Sequence, residues 1–196
     1  EQASGRIGAT TVVADLSGRG ASARGEVRLG ALSGEATLAM LSGPAWLIDT
    51  GAGEFATVAF GSTVLERIDA DIGLAISRIG LGGYPPVEDV SGRFVRRGQG
   101  FSLTDVRGRI GSARLAGEAK VDRSPLRTLL SAKLQLDGVP ARLAWPGAVG
   151  EMVLAAELAG EGASPAALMA SLNGTGCLGW STGRVDGWVQ RYSVGT

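Results

Sequence analysis

Apolar and polar residues alternate along this chain with a period of two. In Ile68-Asp69-Ala70-Asp71-Ile72-Gly73-Leu74-Ala75-Ile76-Ser77 every even position is apolar and the odd positions are polar or small. The same pattern returns in Ala113–Asp122 and Ala132–Asp137, and more weakly in Glu26–Leu29, Glu35–Leu41, Phe101–Leu103 and Met152–Leu158. Alternation of this kind is what a strand with one dry and one wet face requires. After Ser77 the apolar set moves to Ile79 and Leu81, a slip that predicts a bulge or bend.

Turn signals punctuate these runs: Ser17-Gly18, Ser42-Gly43-Pro44, Gly82-Gly83, Arg97-Gly98-Gln99-Gly100, Asp137-Gly138 and Gly147. Short strands at such spacing predict an all-β, mainly antiparallel architecture. One helix stands out over residues 164 to 172. Ser164 is a good N-cap, Pro165 sits at the favoured first position, and Asn173-Gly174 supplies the stop. A second stretch, Ser124–Leu130, predicts at most a single helical turn.

At 196 residues the chain suits one domain with a core of its own. Glycine, at 32 residues against 7 prolines and without a collagen-like period, reads as punctuation between short elements. The 19 basic and 19 acidic residues balance, which argues against a nucleic-acid partner, since phosphate demands a basic face. The trio Arg93, Arg96 and Arg97 reads as a solvated strand edge. No histidine is present, so the commonest general base and metal ligand is missing. Cys177 is alone and reads as a small, partly buried hydrophobe. No signal peptide or long apolar span is present, and the chain opens mid-pattern at Glu1, so a targeting segment is expected elsewhere in a longer protein.

Two blocks of the chain stand out. The first comprises Leu65-Glu66-Arg67-Ile68-Asp69-Ala70-Asp71, Gly98-Gln99-Gly100-Phe101-Ser102-Leu103, and Ala113 to Asp122 with Gly117 at its centre. The second runs from Leu158-Ala159-Gly160-Glu161-Gly162-Ala163-Ser164 into the capped helix, then Ser171-Leu172-Asn173-Gly174-Thr175-Gly176, and closes on Gly183-Arg184-Val185-Asp186-Gly187. Together they resemble the AsmA-like family of bacterial envelope proteins, and the second is similar to its signature of a glycine-bounded strand, a serine-capped helix and a second glycine-bounded strand. The match is best over 65–187 and weaker over 1–60, and Phe60-Gly61-Ser62-Thr63-Val64 stands where the family carries an aromatic-aspartate pair.

The resemblance implies a periplasm-facing Gram-negative protein, anchored to the inner membrane through a segment outside this chain. It also implies a role in outer-membrane biogenesis and lipid transport, with phospholipid acyl chains sheltered on a curled β-sheet. A half-apolar sheet must be covered by helix, partner or lipid, and this sequence offers about one helix. The expectation is therefore a curled, twisted sheet with an apolar groove, a closed sandwich remaining the alternative. The candidate lining is Ile68, Ile72, Leu74, Ile76, Leu115, Val121, Leu134, Leu136, Leu154 and Leu158. The function expected is non-enzymatic lipid handling, without cofactor, metal or nucleic acid. The alternative is a structural or adhesive β-repeat segment, although such segments keep a stricter repeat.

Other motifs carry less. Gly174-Thr175-Gly176-Cys177-Leu178-Gly179 matches a dinucleotide pattern, but it follows a helix and opens a strand, the reverse of the order phosphate binding needs. Asp69 and Asp71 share a strand face, as a metal or glycosidase pair would, yet read as solvated outward positions. Asn173-Gly174-Thr175 fits a glycosylation sequon and reads as a helix stop. Trp46, Trp145, Trp180, Trp188, Tyr84 and Tyr192 are expected to fill sheet ends, with membrane-interface duty as the alternative.

Overall fold

The computed structural model describes residues 2–7, 10–19, 21–34, 68–82, 84–124, 127–143 and 147–185, together with Phe55, Thr57, Ala59 and Phe60. Among them, ten strands form one sheet in sequence order. They are β1 (Gln2–Ile7), β2 (Thr10–Arg19), β3 (Ser22–Ser33), β4 (Asp69–Gly80), β5 (Val87–Arg97), β6 (Gly100–Ile110), β7 (Ala113–Arg123), β8 (Thr128–Pro140), β9 (Ala148–Gly162) and β10 (Asn173–Val185). One helix, α1 (Pro165–Ser171), joins β9 to β10, and a 3-10 turn, Ala141–Leu143, follows β8.

Every neighbouring pair is antiparallel except β3 and β4, which run parallel with Ser22 opposite Asp69 and Leu29 opposite Ile76. A parallel pair needs a long connection, and these two strands are far apart in sequence, β3 ending at Ser33 and β4 beginning at Asp69. Alternation within each strand cannot reveal this, because it reports which face is dry and not the direction of the neighbour. The weak run Glu35–Leu41 and the turn signal Ser42-Gly43-Pro44 lie outside the described residues, as do Trp46, Trp145, Trp188 and Tyr192.

Several turn signals have a different role. Gly18 lies inside β2 and Gly138 inside β8. The Asp137-Gly138 step is a bulge: the register to β9 shifts between Asp137 and Val139, and Gly138 takes φ 80°, a left-handed conformation that glycine tolerates best. By contrast, Gly98-Gln99 does turn β5 into β6, with Gly98 at φ 60°. Ser124 N donates to Arg127 O at 2.8 Å, and strand β8 begins at Thr128, so Thr128–Leu130, expected within a single helical turn, is strand instead. The slip after Ser77 shows in burial, with Ile76 buried, Ser77 and Arg78 exposed and Ile79 half-buried, but the register to β3 and β5 runs on unbroken there, so the expected bulge is not formed.

The glycines do more than punctuate. On the apolar face many sit directly opposite a large side chain of the next strand. The register pairs Gly5 with Val12, Gly25 with Leu16, Gly92 with Leu74, Gly108 with Leu115, Gly117 with Leu134, Gly160 with Leu130 and Gly174 with Leu158. Opposed residues stand only about 4.5–5.5 Å apart, so a large side chain beside a missing one fills the space that two large ones would contest.

Helix α1 forms as its caps predict. Ser164 Oγ accepts from Ala167 N at 3.2 Å, Pro165 occupies the first turn, and Leu168, 1% exposed, faces the sheet. A helix this short holds only by packing. It lies over Gly160 and Gly162, whose missing side chains admit its backbone: a Cβ on Gly162 would stand 2.2 Å from Leu168 N.

Candidate functional site

The strand register decides which side chains share a face. Starting from Ile72, the cross-strand partners run to Phe94, Leu103, Ala119, Ala132, Leu158 and Gly174. The row through Leu74 runs back to Val27 and Ala14. Leu115, Leu136, Leu154 and Leu178 form a further row across β7 to β10. One side of the sheet is therefore apolar from β1 to β10. The residues between these positions, among them Arg24, Glu26, Arg93, Glu118, Lys133 and Glu157, stand exposed on the other side.

Of the ten proposed lining residues, nine lie in strands and share that apolar side. Ile76 and Val121 are buried, whereas Ile72, Leu74, Leu115, Leu136 and Leu154 are half-buried. Leu134 and Leu158 are exposed, at 37% and 36%. Ile68 precedes β4 and is exposed. The arrangement is an apolar surface with two covered ends and an open middle. At one end Ala70, Phe94, Phe101 and Val121 cluster, the two rings tilted with centroids 5.6 Å apart, and α1 covers Gly160 and Gly162 beside them. At the other, Ala141 of the 3-10 turn packs with Ala148, Met152, Val139 and Trp180. Between the ends the floor is small, with Gly117, Ala119, Ala132, Ala156, Gly174 and Gly176.

Arg96 departs from the sequence reading of a solvated trio. Arg93 and Arg97 are exposed, but Arg96 is 2% exposed and lies on the apolar side, opposite Ala70 and Phe101. Val90, Gly92, Phe94 and Arg96 keep one parity, so burial follows strand position and not residue type. At the same end of the strands the Arg123 guanidinium lies 5.2 Å from the centre of the Phe60 ring, and Phe60 N donates to Ala163 O at 3.3 Å.

The polar side carries ion pairs. Arg93 grips Asp71 through two hydrogen bonds of 2.7 and 2.8 Å, a planar guanidinium meeting a carboxylate edge-on. That hydrogen bonding holds the Asp71 carboxyl below the usual aspartate range and raises Arg93 above its ordinary value. Asp69 Oδ1 accepts from Gly98 N at 3.1 Å. Both aspartates therefore have structural partners, and no group of three or more metal-ligating side chains occurs among the described residues. Lys133 faces Glu157 and Arg114 faces Asp137 directly across strand pairs. Two open furrows, about 670 and 710 Å³, cross β6 to β10 on this side. The ridge between them is Glu118, Lys133, Glu157 and Thr175, which borders both.

Cys177 is exposed on β10, not partly buried as its residue type suggests. The glycine pattern from Gly174 to Gly179 lies within strand β10, which runs on to Val185 where phosphate binding would need a helix to open. Tyr84 is 78% exposed, while Trp180 packs against Met152 at a sheet end. No helix among the described residues is long and apolar enough to cross a membrane.

No family model matches the chain, and neither a curated protein nor a solved structure matches it significantly. The AsmA-like resemblance thus rests on the motifs quoted above, two of which have a clear place in the fold. The Leu158–Ser164 block is the end of β9 with the cap of α1, and Ser171–Gly176 is the end of α1 with the start of β10.

Proposed function

We propose that this chain is a non-enzymatic, AsmA-like envelope module that holds phospholipid acyl chains against the apolar side of its sheet, facing the periplasm of a Gram-negative cell. The observation that carries the reading is the continuity of one apolar face over ten strands with exposed leucines in its middle. Each acyl methylene moved from water onto such a surface contributes about 0.8 kcal/mol, so a chain needs no polar anchor to be retained. The small floor residues leave depth for it between the ends covered by α1 and by the 3-10 turn. Inner-membrane anchorage through a segment outside this chain belongs to the same proposal.

The test compares two exposed neighbours on β8. Protein purified from a bacterial host is extracted and its phospholipid measured by mass spectrometry. Leu134→Asp places a carboxylate on the apolar side, where an acyl chain must desolvate it, and is expected to lose the lipid. Gln135→Asp, one residue along on the polar side, is expected to keep it. Both positions are exposed, so both variants should fold. A folded wild type free of lipid, or equal retention by the two variants, would refute the proposal.

A further inference from the structure

The described sheet ends in two edges that differ in kind. Edge strand β1 is short, Gln2–Ile7, and carries Arg6. Edge strand β10 extends from Asn173 to Val185 with one charged residue, Arg184, and no proline. Natural sheets blunt exposed edges with charge, proline or brevity, because unpaired N–H and C=O groups recruit another strand. None of those devices guards β10 over Asn173–Leu178, and all six of these residues are exposed.

We infer that the β10 edge is a self-association surface, pairing antiparallel with β10 of a second copy about Cys177. The argument is one of fit. Any strand added here must keep its large apolar residues on the apolar side. Within the sheet these oppose either one another, as Leu136 does Leu154, or a glycine, as Leu158 does Gly174 and Leu134 does Gly117, and the glycine pairing leaves the larger side chain the most room. Strand β10 achieves that pairing with itself. A two-fold axis at Cys177 sets Leu178 opposite Gly176 and Trp180 opposite Gly174, so each bulky side chain faces an empty position and the ring covers a glycine. On the other side Thr175 meets Gly179 and Cys177 meets Cys177. No charge lies in this overlap, so nothing repels. Antiparallel edge pairing places the axis perpendicular to the sheet, which is the isologous arrangement of ordinary dimers. The two apolar faces then lie on the same side and join across the axis. The inference stands on the register alone and does not require the lipid reading.

Crosslinking reads both the association and its register. Opposed residues in an antiparallel pair bring their Cβ atoms to about 4.5–5.5 Å, close to disulfide reach. Treatment of the full chain with diamide should link two copies through Cys177: the two S–H bonds break, one S–S bond forms, and diamide takes the two protons and two electrons to become the hydrazine. In a Cys177→Ala background, a lone Thr175→Cys should not link to itself, because the axis sets residue 175 opposite residue 179. A mixture of that protein with Cys177→Ala/Gly179→Cys should link, and Gly179 has room for a side chain, its nearest neighbour being Val153 O at 4.0 Å. Without oxidant, sedimentation of the wild type should give a dimer. Cys177→Asp, which opposes two carboxylates at an exposed position, should give a folded monomer. A wild type that stays monomeric at high concentration overturns the inference, as would a dimeric Cys177→Asp. Equal crosslinking by residues 175 and 177 would mark random collision, and efficient self-linking by Cys177→Ala/Leu178→Cys would mark a different register; either also overturns it.

Discussion

Ser171 closes helix α1 onto Glu161 by gripping both backbone groups of that residue. Its hydroxyl accepts from Glu161 N at 2.7 Å and lies 2.6 Å from Glu161 O and 2.9 Å from Leu168 O, either of which can take its proton. The β9–β10 register, extended backwards from Asn173 opposite Ala159, brings Ser171 opposite Glu161. The side chain thus supplies the ladder bonds that the backbone, committed to the helix, cannot. The same hydroxyl and cap fix where the helix ends and β10 begins.

Ser171→Ala should accordingly cost about 1–3 kcal/mol, the worth of two net hydrogen bonds at a half-buried position. Urea denaturation checks the magnitude. Amide exchange checks the mechanism, since Glu161 N–H should lose protection ahead of its β9 neighbours. An unchanged urea midpoint would show that water replaces the hydroxyl at no cost.

Gly162 should tolerate no side chain. A Cβ there would meet Leu168 N at 2.2 Å and Ala167 C at 2.7 Å, both backbone atoms, so α1 must lift away from the sheet. Gly162→Ala is expected to destabilise by about 1–3 kcal/mol or more, as overpacking does. Gly73 is the contrast, since its added Cβ would find Glu26 Cγ at an ordinary 3.5 Å. Gly73→Ala should be neutral or stabilising by up to about 1 kcal/mol through the unfolded chain. Paired thermal melts of the two variants would separate steric crowding from a general intolerance of glycine loss.

These positions mark what could be read from the sequence and what could not. The alternation from Ile68 to Ile76 and from Ala113 to Val121 is a direct imprint of one dry face, so the strands and their inward sets were legible. The helix was legible because Ser164 and Pro165 are cap chemistry, local in sequence. Glycine was misleading. Gly18 and Gly138 resemble turn residues, yet they lie inside strands, and what selects Gly117 or Gly174 is a leucine on the next strand, invisible in one dimension. Arg96 was misread for a related reason, since its parity with Phe94 outranks its charge. The parallel β3–β4 pair joins strands far apart in sequence, and no local pattern encodes it. Face membership of the lining residues was accessible from periodicity, whereas the covering of both ends was not.

The Asp71–Arg93 pair should give the protein a specific acid sensitivity. Because Arg93 depresses the folded-state pKa of Asp71, the pair contributes stability above the unfolded-state value, about 3.9, and loses it as pH falls through the lower folded-state value. Carboxyl titration by NMR should place Asp71 below the usual aspartate range. Asp71→Asn should be less stable than wild type at neutral pH and show a smaller drop in Tm on acidification. Added salt should narrow the gap between them, since the pair is at the surface. An Asp71 midpoint in the ordinary range would remove the pair as the cause.

Asp105 should be dispensable in a way that its neighbours are not. It holds φ 53°, a left-handed conformation uncommon for a residue with a side chain, and it sits where the β6–β7 register shifts between Leu103 and Val106. Leu103 pairs with Ala119 and Val106 with Gly117, so β6 spends three steps where β7 spends two: one residue of β6 is extra. Towards β5 the count is the same, with Thr104 opposite Arg93 and Arg107 opposite Ser91. Deleting Asp105 would therefore restore plain alternation, leaving Phe101, Leu103 and Val106 on the apolar side and every pair from Arg107 to Ile110 intact. The variant should fold, with a urea midpoint near that of wild type and an unchanged pattern of protected amides on β7. Deleting Lys120, in the regular part of β7, shifts the residues on one side of the gap by one place. That sends either Ala119, Gly117 and Leu115 or Val121 to the wrong face, and the protein should lose cooperative unfolding. If the two deletions proved equally damaging, the extra residue at Asp105 would be holding a bend that the sheet requires, and the bulge would be structural rather than a tolerated insertion.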